Sequence, residues 1–264
     1  MGRRSRYVAI AVAIVCLALV VPVQMKIDSL RARFVKEAVL PTQLPQSAAV
    51  SAALGGFRGI AVDILWMQAD SMLNDRQFYQ LKTLYELISI LQPNFPSVWD
   101  FNAWNLAYNI SAEWGRPEEK WLWVKEGLDF GSEGLKYNSD SVELWLDLGF
   151  MYANKIGKDP DLARRFEAAE GIEPYLKAVT YYDKALELER ERGESNVLLY
   201  RLHAQALFHH GQAILKKTGN VPEALQCYGQ AADEVDKALE QFPDDNALVK
   251  MKSDLASARA MFGQ

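Results

Sequence analysis

Cysteine and histidine are both scarce in this chain, which limits the cross-links and metal sites that it could form. Only two of the 264 residues are cysteines: Cys16 lies in an apolar N-terminal run and Cys227 in a predicted helix. A disulfide between such settings is not expected, so the fold must depend on packing. The three histidines, His203, His209 and His210, share one predicted helix, and the H-E-x-x-H zinc pattern is absent. Partly buried imidazoles are therefore favoured over a metal site.

The sequence also lacks the motifs that accompany nucleotide binding and nucleophilic catalysis. Glycines cluster between Gly55 and Gly59, but no strand precedes them and no Gly-Lys-Ser/Thr follows. Close helix packing or a kink explains this cluster better than a phosphate-binding loop. No Ser/His/Asp or Cys/His arrangement can be assigned. We therefore expect no catalytic residue, no cofactor and no metal, and the chain is not expected to be an enzyme.

The distribution of charge argues against a nucleic-acid partner. Four of the 29 basic residues (Arg3, Arg4, Arg6 and Lys26) precede Ile27, and none of the 34 acids does. The rest of the chain therefore has 25 basic and 34 acidic residues, a net charge of −9. A body of that charge does not favour binding to a polyanion.

The N-terminus reads as a basic leader followed by a membrane anchor. Residues 1–6 contain three arginines, and residues 7–25 contain no charge. Nineteen residues of helix just span a bilayer core of about 30 Å. A cleaved signal peptide would need small residues near its end, and a lipoprotein signal would need a small residue before Cys16, which follows Val15. An uncleaved signal-anchor is favoured, with a cytoplasmic N-terminus and an extracytoplasmic body, on the periplasmic side if the source is bacterial.

A short polar segment separates this anchor from a helical body. Residues 26–46 read as a stalk, with a hinge between Pro41 and Pro45. From residue 47 to residue 264 the apolar residues follow helical periodicity, and no stretch alternates with a period of two. The fold class expected is all-α.

An internal repeat supplies the most specific signal in the sequence. Trp145, Leu148, Gly149 and Tyr152 match W-x2-L-G-x2-Y, and Ala178, Tyr182 and Ala185 match A-x3-F-x2-A with Tyr for Phe. These are the helix A and helix B patterns of the tetratricopeptide repeat, and the chain resembles that family over roughly residues 60–262. A charged insertion, residues 157–170, separates the two half-motifs. The alternative is an irregular helical bundle in which this spacing is coincidental.

Three further helix pairs match more loosely. The first carries Leu65, Ala69 and Met72, then Leu81, Tyr85 and Ile88. The second carries Trp99, Ala103 and Leu106 on its first helix, and its second helix, about residues 117–137, has no good motif. The fourth carries Leu207, Gly211 and Ile214, then Ala224, Tyr228 and Ala231, with a turn at residues 218–220. Residues 246–261 should form a last, capping helix.

The resemblance implies a right-handed superhelix in which the A helices line a concave surface that binds peptides or proteins. Carrying over the family's contact positions predicts an acidic and aromatic groove formed by Asp63, Trp66, Asp70, Asp100, Phe101, Trp104, Tyr108, Glu143, Asp147, Phe150 and Asn154. The basic residues that clamp a terminal carboxylate in some members are missing, so a basic or amphipathic helical segment is the expected partner. Aromatic residues at this spacing also serve as packing between helices, and the acids could be ordinary solvated surface.

These features together predict a membrane-anchored scaffold for protein–protein interaction, such as an assembly factor or structural subunit of an envelope complex. Two alternatives remain open. One is a cytosol-facing receptor of the same build that reads targeting helices on an organelle membrane. The other is a hydrolase built on a helical toroid, which would require convergent carboxylates or histidines at one cavity.

Overall fold

The computed structural model describes residues 57–262, together with Pro22 and Lys26. Within that part of the chain the regular structure is entirely helical, with ten α-helices and no strand, which confirms the predicted all-α class. No helix in it is both long enough and apolar enough to cross a bilayer. The predicted leader (1–6), anchor (7–25) and stalk (26–46) lie outside the described residues, apart from Pro22 and Lys26, so they stay predictions.

The helices follow one another with short connections. In chain order they are α1 (Arg58–Asn74), α2 (Phe78–Leu91), α3 (Pro96–Trp104), α4 (Pro117–Tyr137), α5 (Val142–Phe150), α6 (Pro160–Glu170), α7 (Pro174–Arg192), α8 (Val197–Thr218), α9 (Val221–Gln241) and α10 (Asn246–Ala260). Both α3 and α5 continue into a π-helical segment, Asn105–Ile110 and Met151–Ile156 respectively. The charged insertion predicted at 157–170 contains a regular helix, α6.

The chain divides into two compact units after Gln92. In the described part of the first unit, α1 packs against α2. Val62 and Ala69 of α1 are buried, as are Leu81 and Tyr85 of α2. The three-residue connection makes this pair an αα-hairpin.

The second unit builds its core from successive helix pairs. The pairs are α3 with α4, α5 with α7, and α8 with α9, and α10 packs on α9. Each second helix also contacts the first helix of the next pair, so that α4 contacts α5 and α7 contacts α8. The short α6 lies against α4, α7 and the π segment of α5. This nearest-neighbour order is the packing expected of a helical repeat.

Glycine and alanine set the spacing between paired helices. A Cβ at Gly149 of α5 would lie 2.7 Å from the Tyr182 ring of α7, and one at Gly211 of α8 would lie 2.7 Å from the Tyr228 ring of α9. The two pairs therefore use the same contact, between the motif glycine of the first helix and the motif tyrosine of the second. Real Cβ atoms do not approach this closely, so these positions accept only glycine without a shift of the ring.

In α4, the second helix of the α3–α4 pair, three glycines have the spacing that the Ala, Tyr and Ala positions have in α7 and α9. Gly127, Gly131 and Gly134 of α4 are separated by four and three residues, as the Ala, Tyr and Ala positions are in α7 and α9. A Cβ at Gly134 would lie 2.6 Å from Trp99, and one at Gly127 would lie 2.6 Å from the Ala103 carbonyl oxygen. The predicted absence of an A-x3-F-x2-A match in α4 stands, since glycine occupies all three positions. The Trp99 side chain leaves no room for a Cβ at Gly134, and the backbone of α3 leaves none at Gly127.

Helices α3 and α5 are also structural repeats of each other. The indole Nε1 of Trp99 donates a hydrogen bond to the Pro93 carbonyl at 2.8 Å, and that of Trp145 donates to the Ser139 carbonyl at 2.9 Å. Trp145 follows Trp99 by 46 residues. The same interval separates the two carbonyl acceptors and the first residues of the two π segments. Both hairpins thus begin with the same bonded turn and end their first helix in the same irregular segment.

Side chains and glycines at the helix ends explain where several helices begin and end. Ser141, Asp159 and Asn196 each accept a backbone hydrogen bond as an N-cap. Gly193 and Gly219 end α7 and α8 with φ of 67°, a left-handed conformation that favours glycine. The predicted turn at residues 218–220 is confirmed.

Two glycine substitutions should separate the close contact from helix propensity. Gly149→Ala should destabilise the protein by about 1–3 kcal/mol, because the buried Tyr182 ring must move. Gly229→Ala in α9 meets no atom within 4 Å, so it should stabilise by roughly 0.5–1 kcal/mol. Urea unfolding of the full chain measures both. Equal effects of the two changes would contradict the proposed role of the Gly149–Tyr182 contact.

Candidate functional site

Three of the predicted contact residues lie in the first unit, on α1. Asp63 and Asp70 are exposed, and Trp66 is half-buried with its ring centroid 6.1 Å from that of Tyr85. Burial and the Asp70 charge raise the pKa of Tyr85 to about 12. Trp66 therefore contributes to the α1–α2 interface, and the two acids belong to its solvent-facing side.

The other eight predicted residues lie in the second unit, on α3 and α5 with their π segments. These two elements contact each other directly. Exposure along them is graded: Phe101 and Glu143 are exposed, whereas the six others are half-buried, namely Asp100, Trp104, Tyr108, Asp147, Phe150 and Asn154. We refer to this face of α3 and α5 as the acidic–aromatic face.

Aromatic rings join the two helices at this face. The Trp104 ring stacks on Tyr108 at a centroid distance of 4.1 Å, and on Phe150 of α5 at 6.1 Å, with an interplanar angle of 14° in both cases. The rings are thus packing between adjacent hairpins and, being half-buried, also surface. The packing role considered from the sequence is thus present in these side chains, and the contact role stays a prediction.

Asp100 of α3 and Asp147 of α5 form a carboxyl pair within this face. Burial is the main cause that raises the pKa of both groups, and the hydrogen bond between them opposes the rise at Asp100. For Asp147 the pKa reaches about 7, raised by burial, by the Asp100 charge, by the hydrogen bond with Asp100 and by Glu143. Two adjacent carboxyls cannot both ionise cheaply, so the pair holds one proton below a pH of about 7 and loses it above.

Two tyrosine hydroxyls accompany the carboxyl pair. The hydroxyls of Tyr108 and Tyr182 are buried and have no hydrogen-bond partner among the described residues, and the same is true of one Asp100 carboxyl oxygen. Burial chiefly raises the pKa of both phenols, and the charge of Asp147 raises both further. They therefore stay protonated, as hydroxyl donors beside an acid. The Lys155 ammonium lies 4.9 Å from the centroid of the Tyr108 ring.

Tyr182 and Lys155 are the members of this site that the predicted contact positions omit. Tyr182 comes from α7, the second helix of its pair, where the family pattern assigns it to the core. Its ring is fully buried, as that pattern requires. The signal in the sequence is the hydroxyl itself, because Phe would fill the same space without introducing a polar atom into the core.

The histidines do not converge on one ligand site. His203 is buried with Nε2 3.1 Å from Asp183 of α7 and Nδ1 3.7 Å from Glu234 of α9. These are ion-pair distances, although neither nitrogen has the alignment of a hydrogen bond. His210 instead faces Glu173, 2.9 Å from its Nδ1. Within the described residues no three potential ligands come together to hold a metal.

Burial disfavours a charge on His203, but the two carboxylates outweigh it and raise its pKa above the usual value. The interaction with His203, together with that of Lys237, lowers the pKa of Glu234 to about 2. His203 therefore acts as a charged link between α7, α8 and α9. Its chemistry is that of a structural ion pair.

Comparison with known proteins identified no relative of this chain. No protein-family model, no curated protein and no solved structure matches the chain.

Replacing Asp147 tests whether the carboxyl pair shares a proton. A raised pKa contributes stability that is fully present below the unfolded pKa of about 4 and is lost as the pH rises to about 7. Asp147→Asn, neutral throughout, should therefore be more stable than wild type at pH 8, by about 2 kcal/mol after allowance for partial exposure. The difference should shrink towards pH 5. Urea unfolding at several pH values measures it, with the exposed Asp254→Asn as control.

Replacing His203 tests the second buried charge. Its stability contribution is fully present below the unfolded pKa of about 6.5 and is lost as the pH rises through the higher folded value. The cost of His203→Gln should therefore be larger at pH 6 than at pH 9. Thermal unfolding across that range measures the cost. A cost independent of pH would mean that folding leaves the pKa of His203 unchanged, and a cost that grows towards pH 9 would mean that folding lowers it.

Proposed function

We propose that this chain is a membrane-anchored scaffold of the tetratricopeptide-repeat type, which binds a partner polypeptide on the acidic–aromatic face of α3 and α5. Support comes from the sequence motifs at Trp145–Tyr152 and Ala178–Ala185 and from the successive hairpins, in which glycine faces tyrosine in two pairs. The family's architecture, a right-handed superhelix with a concave binding surface, is part of the proposal.

The observation that carries the proposal is the composition of that face. Large aromatic side chains are half-buried and stacked there, while the acids beside them keep part of their surface in contact with solvent. Aromatic residues on a rigid support lose little entropy on binding, and they are enriched at interface hot spots. Such a surface is suited to recognition of another polypeptide.

The charge of the face selects the partner's chemistry. Asp100, Glu143 and Asp147 lie together, and the chain from Ile27 onward carries a net charge of −9. A basic or amphipathic helical segment matches both the acids and the rings. A partner bearing Lys or Arg on an apolar helix face would satisfy the two kinds of contact at once.

The anchor at residues 7–25 would hold the helical body at a membrane surface. In the favoured orientation the body is extracytoplasmic, and an assembly factor or structural subunit of an envelope complex fits that position. With the opposite orientation the same body would be a cytosol-facing receptor for targeting helices. Protease accessibility of the body from each side of the membrane discriminates between the two.

A hydrolytic function is the second candidate, and the Asp100–Asp147 pair is what favours it. One protonated and one ionised carboxyl at neutral pH is an arrangement used for acid–base catalysis. Under this alternative, Asp147→Asn would abolish turnover of a substrate. Under the scaffold proposal, it alters partner binding and stability, and there is no turnover to lose.

Site-specific cross-linking tests the scaffold proposal directly. A photoreactive phenylalanine at position 101, where the side chain is 51% exposed, should cross-link a partner in native membranes. The same group at Leu122 of α4, which is 42% exposed, should not, because α4 contributes no residue to the acidic–aromatic face. Equal yields at the two positions would contradict binding at the acidic–aromatic face.

A paired substitution then tests the chemistry of the contact. Trp104→Ala with Asp147→Lys should reduce the cross-link at position 101 at least tenfold, a loss of about 1.4 kcal/mol or more. Asp129→Lys, a matched charge reversal on the exposed surface of α4, should leave the yield unchanged. Circular dichroism of both variants verifies the fold.

A further inference from the structure

Four polar side chains from three helices converge at one point of the second unit. Asp100 and Tyr108 come from α3 and its π segment, Asp147 from α5 and Tyr182 from α7. Tyr182 is fully buried, its hydroxyl has no partner in the described part of the chain, and it lies close enough to Tyr108 and Asp147 to interact with both. We call these four residues the carboxyl–tyrosine cluster.

We propose that the carboxyl–tyrosine cluster receives one basic side chain of the partner, whose positive group displaces the proton that Asp100 and Asp147 share. This inference rests on the proposed function, since it names the anchoring contact of the same face. The displaced proton passes to the solvent buffer, so binding of one cation releases up to one proton.

The arrangement of hydrogen-bonding groups favours a nitrogen cation. A guanidinium or ammonium group donates in several directions, and the cluster offers carboxyl oxygens and hydroxyl oxygens as acceptors. One buried Asp100 oxygen accepts no hydrogen bond from the described residues. The neighbouring aromatic rings of Trp104 and Phe150 add surface on which a planar cation can pack.

The surrounding charges favour a cation over an anion. Asp100 and Tyr108 face Asp147 from α3, Glu143 faces it from α5, and Tyr182 faces it from α7. The nearby cation is Lys155, whose ammonium lies 4.9 Å from the centroid of the Tyr108 ring. Two carboxylates also fall short of the six or more oxygen ligands that calcium takes, so a divalent ion is the weaker candidate.

Proton displacement makes the affinity depend on pH in a defined window. The empty pair holds its proton up to a pH of about 7, the pKa of Asp147, and a bound cation requires both carboxylates. The affinity should therefore rise about tenfold between pH 6 and pH 8 and change little above that. An ordinary surface carboxylate, ionised above pH 5, would give no such rise.

The test uses the full chain in detergent micelles with Nα-acetyl-arginine amide as the probe. Asp carboxyl carbons are labelled with ¹³C, and the Asp147 signal is identified by its loss in Asp147→Asn. Saturating probe should lower the pKa of Asp147 by at least one unit, and the probe should bind about tenfold more tightly at pH 8 than at pH 6. The neutral isostere Nα-acetyl-citrulline amide, at matched ionic strength, should do neither.

Further arms identify the ligand and isolate the site. Nα-acetyl-lysine amide tells whether an ammonium group serves as well as a guanidinium group. Asp147→Asn should remove the pH dependence of probe binding, and Asp254→Asn should retain it. An unmoved Asp147 pKa at saturating arginine probe, an equal effect of citrulline, or a response to Mg²⁺ alone would overturn the inference.

The two proposals fail separately. If cross-linking at position 101 depends on Trp104 and Asp147 while the arginine probe leaves the pKa of Asp147 unchanged, the scaffold stands and the proton-linked anchor falls. If the probe binds as expected while no partner cross-links at position 101, the cluster is a cation site and the scaffold proposal fails.

Discussion

The close approach of paired helices is the constraint on which this structure depends. Gly149 and Gly211 let the rings of Tyr182 and Tyr228 lie directly against the facing helix, where a Cβ would stand 2.7 Å from a ring carbon. Interiors packed at crystal-like density cannot absorb such a clash without moving a ring or a helix. In the α3–α4 pair the bulk is on the first helix, as Trp99, and the glycines are on the second. This is a different contact at the same kind of close approach, because Trp99 is equivalent to Trp145 and not to Gly149 in the 46-residue repeat.

The polar cluster is a consequence of that same contact. Because the Tyr182 ring lies against α5 at Gly149, its buried hydroxyl comes near Asp147 and Tyr108. A wider helix spacing would leave Asp147 in solvent with an ordinary pKa. The packing of the core therefore determines the electrostatics of the acidic–aromatic face, and a residue that the repeat pattern assigns to structure also becomes part of the candidate site.

Helix positions could be predicted from the sequence because local signals determine them. The bounds of α4 at Pro117–Tyr137 and the turn between α8 and α9 were both predicted, since proline, glycine and apolar periodicity act over a few residues. The π segments and the Asp100–Asp147 pairing could not be. The family's contact positions apply to a regular α-helix. In the π segments that begin at Asn105 and Met151, i→i+5 hydrogen bonding changes which residues lie on the same side of the helix. The carboxyl pair joins residues 47 apart in sequence, and its raised pKa depends on burial that only tertiary packing creates.

Under the proposed binding role, the free energy stored in the Asp100–Asp147 pair gives a destabilising feature a use in partner recognition. A buried carboxyl pair opposes folding above the pH at which its proton is lost, and a nonpolar or amide replacement would remove that cost. A cation placed between the two groups removes it as well, so part of the cost is returned when a partner binds. Rings alone would bind any apolar helix of suitable shape. In the proposed complex, carboxyls that are unfavourable until neutralised would instead discriminate against segments without a basic residue, because such segments would bury the pair without compensating its charge.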